Sequence, residues 1–115
     1  MAKVKIWHNP RCSKSREALK LLEEKNADIE VFKYLDETLT KEDIKNILTL
    51  LNAKPRDIMR TKEAIYKELG LKDVEDDEKL IEAMVEHHKL IERPIVIKEN
   101  QAVLGRPPQK VLELI

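Results

Sequence analysis

Between Lys3 and Leu35 the apolar residues change period twice, and this change narrows the possible folds more than any other feature of the chain. Lys3 to Trp7 alternates polar with apolar and puts Val4 and Ile6 on one face, the pattern of a short strand. Pro10 stops it. From Ser13 to Lys25 the apolar positions Ala18, Leu19, Leu21 and Leu22 recur at helical spacing among charged residues, which predicts a helix lying on a sheet. Asn26 ends that helix, and Asp28 to Leu35, with Ile29, Val31 and Phe32, predicts a second strand. Strand, helix and strand within about 33 residues is the size of a βαβ unit, whose crossover is right-handed in nearly all proteins.

The next helix is announced by Thr40 as N-cap, by Asp43 three residues on as a capping-box partner, and by Leu39 and Ile44 placed as a hydrophobic staple. Ile44, Ile47, Leu48 and Leu51 supply its apolar face. Lys54 and Pro55 break the pattern, Pro55 to Leu69 reads as one or two short helices, and Gly70 closes them. Asp76 and Asp77 stand at the favoured negative end of a further helix that runs to about His88. Pro94 to Ile97 and Ala102 to Leu104 form two β runs around a Glu99-Asn100 turn, a hairpin, and Gln109 to Leu114 forms a terminal helix. The order is βαβ, a helical insertion, then ββα. It resembles a thioredoxin-like fold, an α/β architecture with a small mixed four-stranded sheet flanked by helices, although a generic α/β sandwich fits the periodicity nearly as well.

The chain has 115 residues and no internal repeat or linker, so a single domain over 1–115 is expected. Lys plus Arg and Asp plus Glu each number 22, which removes the broad electrostatic argument for nucleic acid while leaving room for a local positive pocket. No apolar run reaches the length of a signal peptide core or a membrane span, so a cytoplasmic protein, with no membrane partner, is expected. His87-His88 does not read as a metal site, because adjacent helical residues do not share a face and no partner sits at ligand spacing. The Glu75-Asp76-Asp77-Glu78 run reads as a helix start.

The single cysteine, Cys12, lies in His8-Asn9-Pro10-Arg11-Cys12-Ser13-Lys14-Ser15-Arg16, where the first strand turns into the first helix. Taken alone, a free cysteine is often a small buried residue and inert. At a helix start, however, unpaired backbone N–H groups and the positive end of the helix dipole favour thiolate over thiol. Arg11, Lys14 and Arg16 add positive charge, Ser13 and Ser15 offer hydroxyl donors to sulfur or to an anion, and an imidazolium at His8 would favour the thiolate further. Amides that hold a thiolate also hold an oxyanion, so nucleophile and anion site would coincide. With one cysteine, redox work needs a thiol from another molecule.

HNPRCSKSR resembles the HNPxCxxSR signature of the glutaredoxin-dependent arsenate reductases, the ArsC family. The resemblance continues in YLDETLTKEDIKNIL, IMRTKEAIYKELGL and LIERPIVIKENQAVLGRPPQKVLELI, and so covers essentially the whole chain. Ser13 and Lys14 depart from the plasmid-type enzymes, which carry glycine and threonine there, and the chain stops at Ile115 where longer members have a C-terminal extension.

The resemblance implies that Cys12 is the nucleophile, with His8 beside it, and that Arg60, Arg93 and Arg106, with Ser15, hold the arsenic oxyanion. Asn9, Arg16 and Pro94 are implied in support, Pro94 as the cis-proline that thioredoxin-like folds place beside the active cysteine. Arginine suits the task, since its planar fork offers paired donors and stays protonated. The implied reaction reduces arsenate to arsenite in a monomer without bound cofactor or metal, with glutathione as co-substrate and glutaredoxin as partner. Two other readings stay open: a glutathione-dependent thiol reductase of the same family that does not use arsenate, and a regulator resembling Spx that binds RNA polymerase. The latter commonly carries a CxxC pair, and Ser15 replaces its second cysteine here.

Overall fold

The computed structural model describes residues 3–115, and these fall into two compact units. One takes the chain up to Glu37 and again from Arg93 to Ile115; the other, Thr38–Glu92, is the helical insertion. No helix among the described residues is long and apolar enough to cross a membrane.

The first unit contains β1 (Val4–Trp7), α1 (Ser13–Glu24), β2 (Ile29–Phe32), β3 (Ile95–Lys98) and β4 (Gln101–Leu104), and ends in a 3-10 helix, Pro108–Leu114. The strands form one mixed sheet in the order β2-β1-β3-β4, in which β1 runs parallel to β2 and antiparallel to β3, and β3 and β4 are antiparallel. This is the expected thioredoxin-like arrangement. The register sets Ile6 beside Val96, and with Val4, Ala18, Leu22, Val111 and Leu114 these side chains build the core on the α1 face, while Val31 on the other side of Ile6 is exposed. On the opposite face Trp7 packs against the rings of Phe32 and Tyr34, with centroids 5.5 and 6.1 Å away.

Two expected elements change character. The second strand ends at Phe32, not Leu35, because the chain turns there: Tyr34 N–H donates to Phe32 O at 3.0 Å and Asp36 N–H to Lys33 O at 3.0 Å, which lays Tyr34 back over Trp7. The terminal helix is a 3-10 helix and not an α-helix. Three residues per turn bring Pro108, Val111 and Leu114 onto one line, and those are its buried residues. The hairpin turns at Glu99-Asn100 as the sequence predicts, with Glu99 in the left-handed region at φ +56°.

The second unit contains α2 (Lys41–Leu51), a 3-10 turn at Pro55–Ile58, α3 (Ala64–Glu68), a 3-10 turn at Leu71–Asp73, α4 (Asp77–Glu86) and a 3-10 turn at His88–Leu90. The capping box forms as read: Asp43 N–H donates to Thr40 Oγ1 at 3.2 Å and Thr40 N–H to Asp43 Oδ2 at 2.9 Å. Asp76 caps α4 by accepting from Glu78 N–H at 3.0 Å. Arg56 binds the short elements together, donating to the Tyr66 hydroxyl and to the carbonyls of Leu71 and Val74. A single antiparallel bridge, Met59 with Ile91, closes the unit.

Candidate active site

His8 leaves β1 with its amide still in the ladder, donating to Phe32 O at 2.9 Å. Asn9 then organises the turn. Its carbonyl accepts from Cys12 N–H at 3.0 Å, its side-chain Oδ1 accepts from Arg11 N–H at 3.0 Å, and its own N–H donates to Ser15 Oγ at 3.1 Å. A buried Asn is costly without partners, and here each of these groups has one. The turn therefore delivers Cys12 to the N-cap position of α1, in extended backbone at φ −93° and ψ 122°, with its carbonyl receiving Arg16 N–H at 3.0 Å.

At that position the half-buried sulfur meets opposing influences. Burial pushes the thiol pKa up, but the backbone N–H of Ser15, the Arg93 guanidinium through hydrogen bonding and charge, and the backbone N–H of Lys14 together pull it below the ordinary 9.0. The neutral thiol makes no side-chain cap bond, whereas the thiolate is an acceptor those donors can hold. The first turn of α1 carries no acidic residue to cancel the helix dipole.

His8 does not play the cationic part expected of it. Burial, then the positive charges of Lys33 and Arg16, lower its pKa from 6.5, so the ring is neutral at pH 7. Its Nδ1 lies 2.6 Å from Ser15 Oγ. The same hydroxyl accepts from Asn9 N–H at 3.1 Å. Ser15 is likewise corrected: its side chain is fully buried and engaged inside the turn, and what it offers the sulfur is its backbone N–H. Arg16 stays exposed and donates from Nη1 to Pro10 O at 3.2 Å.

Arg93 and Arg106 come from the second half of the same unit. Each precedes a cis-proline, Pro94 as expected and Pro107 in addition. Arg93 reaches the Cys12 sulfur while its Nε is buried without a hydrogen-bond partner. Arg106 Nε donates to Arg93 O at 3.1 Å, and Gly105 N–H donates to Pro94 O at 2.8 Å. Gly105 is glycine for want of space: a Cβ there would lie 2.7 Å from Pro94 Cγ and 3.1 Å from Val111 Cγ1.

Arg60 belongs to the helical unit. There its Nη2 lies 3.5 Å from Glu63 Oε1 and its Nε 3.8 Å from Glu92 Oε1, while Nη1 is buried without a partner. A cavity of about 520 Å³ lined by Val4, Lys25, Asn26, Ala27, Asp28, Lys98, Glu99, Gln101 and Ile115 sits at the other end of the sheet and contains none of these residues.

A thiolate at a helix N-cap, facing a guanidinium with an unused buried donor, is equipped to attack and hold an electrophilic oxyanion. With this geometry in place, comparison with known proteins decides the family, since the model described as "ArsC family" matches residues 7–114. The chain belongs to the ArsC family. An Escherichia coli protein described as "Uncharacterized protein YfgD" is 48% identical over 97% of this chain and 96% of its own length. An arsenate reductase of Neisseria meningitidis is 46% identical over 96% of this chain and 97% of its own. The solved structure of an arsenate reductase from Vibrio cholerae, 48% identical, superposes with a TM-score of 0.95 over 99% of this chain and 98% of that one.

Within this ArsC-family chain, four partners of the expected residues, each in its own unit, were not singled out from the sequence: Lys33 and Gly105 in the sheet unit, Glu63 and Glu92 in the helical one. Only Gly105 left a signal, as one of two glycines and next to an Arg-Pro step. The others are charged residues among many, and pairing across the fold alone distinguishes them.

Proposed function

We propose that this ArsC-family protein reduces arsenate to arsenite through Cys12, with glutathione and glutaredoxin as the thiol donors. The observation that carries the reading is the Cys12 sulfur at the N-cap of α1, its thiolate favoured by two backbone amides and by Arg93, whose Nε still lacks an acceptor. The names borne by the Neisseria and Vibrio relatives support arsenate as the oxyanion.

In this mechanism Arg93 and Arg106 bind the arsenate oxygens by paired charge-assisted hydrogen bonds. The Cys12 thiolate attacks arsenic, an S–As bond forms, and one oxygen leaves as water after protonation; arsenic remains As(V). A glutathione thiolate then attacks the Cys12 sulfur. The S–As bond breaks with its electron pair going to arsenic, which leaves as As(III), and the two thiols are oxidised to a mixed disulfide. Glutaredoxin displaces Cys12 from that disulfide and restores the thiolate. An external thiol is required because the chain holds a single cysteine. His8, neutral and bonded to Ser15, keeps the turn in shape and does not serve as a counter-ion.

The test is arsenate-dependent NADPH oxidation in a mixture of the protein with glutathione, glutaredoxin and glutathione reductase. Turnover that disappears in Cys12→Ser is the expected result. Turnover no greater than that of Cys12→Ser overturns arsenate reduction, and glutathionylation of Cys12 that persists in that case identifies a thiol reductase instead.

A further inference from the structure

Asn9 makes three of the bonds that shape the passage from β1 to the nucleophile. Cys12 N–H donates to Asn9 O at 3.0 Å and closes a turn over Asn9-Pro10-Arg11-Cys12. Arg11 N–H donates to Asn9 Oδ1 at 3.0 Å, an Asx turn nested inside the first. Asn9 N–H donates to the buried Ser15 Oγ at 3.1 Å, which ties the turn to the start of α1. Pro10, in the second position, brings a fixed φ and has no N–H to place.

These bonds sort the amide donors of the segment. The amides of Asn9, Arg11 and Cys12 are spent inside the turn, and that of Arg16 on Cys12 O. The amides of Lys14 and Ser15 meet the Cys12 sulfur, together with the Arg93 guanidinium. Two of the three Asn9 bonds use backbone groups that other residues also carry. The third needs an oxygen on Cγ, which asparagine and aspartate both provide, and aspartate would set a negative charge beside a thiolate. Asparagine gives the acceptor without the charge, and it is buried where a misplaced polar group is costly.

We infer that Asn9 is a positioning residue for the nucleophile: by holding the Arg11 amide on its side chain and the Cys12 amide on its carbonyl, it keeps the Lys14 and Ser15 amides aimed at the sulfur. The inference deepens the reading of Cys12 as the attacking thiolate and rests on it. It separates positioning from mere stability. A side chain that only stabilised the fold would leave the titration of the sulfur where it is.

The variants are Asn9→Ala, which removes the Oδ1 acceptor, and Asn9→Ser, whose hydroxyl forms the same kind of turn more weakly. Arg93 and the exposed cations of the turn, Arg11, Lys14 and Arg16, stay in place in both. The readout is the pH midpoint of Cys12 alkylation by iodoacetamide, taken alongside the urea unfolding midpoint. We expect the alkylation midpoint to rise by about one pH unit in Asn9→Ala and by less in Asn9→Ser, as donors to the thiolate lose their aim. The same rise is expected when Asn9→Ala is made in an Arg93→Gln background, because Asn9 acts through the amides. At pH values below both midpoints kcat/KM for arsenate falls about tenfold in Asn9→Ala, and the deficit closes above them.

An alkylation midpoint that stays in place in Asn9→Ser and in Asn9→Ala, whatever the urea midpoint does, overturns the inference. So does a rise that vanishes in the Arg93→Gln background. Should Asn9→Ala not fold, the alkylation midpoint of Asn9→Ser decides alone. Absence of arsenate turnover in the wild-type protein, with the alkylation midpoints displaced as stated, overturns the proposed reaction and leaves the positioning role standing.

Discussion

Arg106 donates from Nε to the backbone carbonyl of Arg93 at 3.1 Å, so the two arginine–proline steps of the sheet unit hold one another. Lysine at position 106 keeps the charge but has no Nε fork. A hydrogen bond from a charged donor contributes on the order of 1.5–3 kcal/mol, so Arg106→Lys is expected to lower kcat/KM for arsenate about tenfold. The pH midpoint of Cys12 alkylation, which the Arg93 guanidinium and the Ser15 and Lys14 amides lower, is expected to move less than in Arg93→Gln.

Arg93 carries the opposite signature, because it favours the Cys12 thiolate by both hydrogen bond and charge. Arg93→Gln raises the thiol pKa, and the iodoacetamide alkylation profile moves to higher pH; an unmoved midpoint contradicts the assignment. Removing one donor of an oxyanion site costs roughly 100-fold in rate, which is the expected loss in arsenate turnover. The stability consequence follows in sign from the depressed pKa: the folded state gains above the ordinary 9.0, and that gain is lost as pH falls through the folded value.

His8 makes the protein sensitive to mild acid. Its folded pKa is depressed below 6.5, chiefly by burial, so the unfolded chain takes up the proton first. Its contribution is fully present above pH 6.5 and declines as pH falls from 6.5 toward the folded value. Urea unfolding at pH 7.5 and pH 5.5, followed by Trp7 fluorescence, is expected to show a smaller acid-induced loss in His8→Asn than in the wild type.

Gly105→Ala places a Cβ 2.7 Å from the Pro94 ring, which cannot rotate aside, and 3.1 Å from Val111. Overpacking of this kind costs about 1–3 kcal/mol, read as a lower urea midpoint. Because Gly105 N–H also bonds Pro94 O, the displaced proline disturbs the step that carries Arg93, and arsenate turnover is expected to fall with stability.

Arg56→Met tests the helical unit separately. The change removes the donor to the Tyr66 hydroxyl and the Leu71 and Val74 carbonyls. Leaving such partly buried acceptors without a partner costs about 2–3 kcal/mol. Faster amide hydrogen exchange in α3 and in the Leu71–Asp73 turn, measured by mass spectrometry, is the expected outcome.

The sequence by itself determined what depends on a few consecutive residues. The change from period 2 to period 3.6 around Pro10, the Thr40–Asp43 capping box and the Glu99-Asn100 hairpin all arise from contacts within one turn or one pair of strands. The cysteine turn was legible for the same reason, since every bond Asn9 makes lies within HNPRCSKS. Tertiary structure alone decided the charge states and the partners. His8 is neutral because the fold buries it and Lys33, just after β2, and Arg16 add positive charge; Ser15 turns its hydroxyl inward because Asn9 and His8 claim it. The Arg60 counter-ion Glu92 and the Gly105 contact with Pro94 come from segments brought together by the Met59–Ile91 bridge and by the sheet. Local pattern fixes backbone conformation through steric and hydrogen-bonding rules of short range, whereas desolvation and Coulomb interaction act through space between segments distant in sequence.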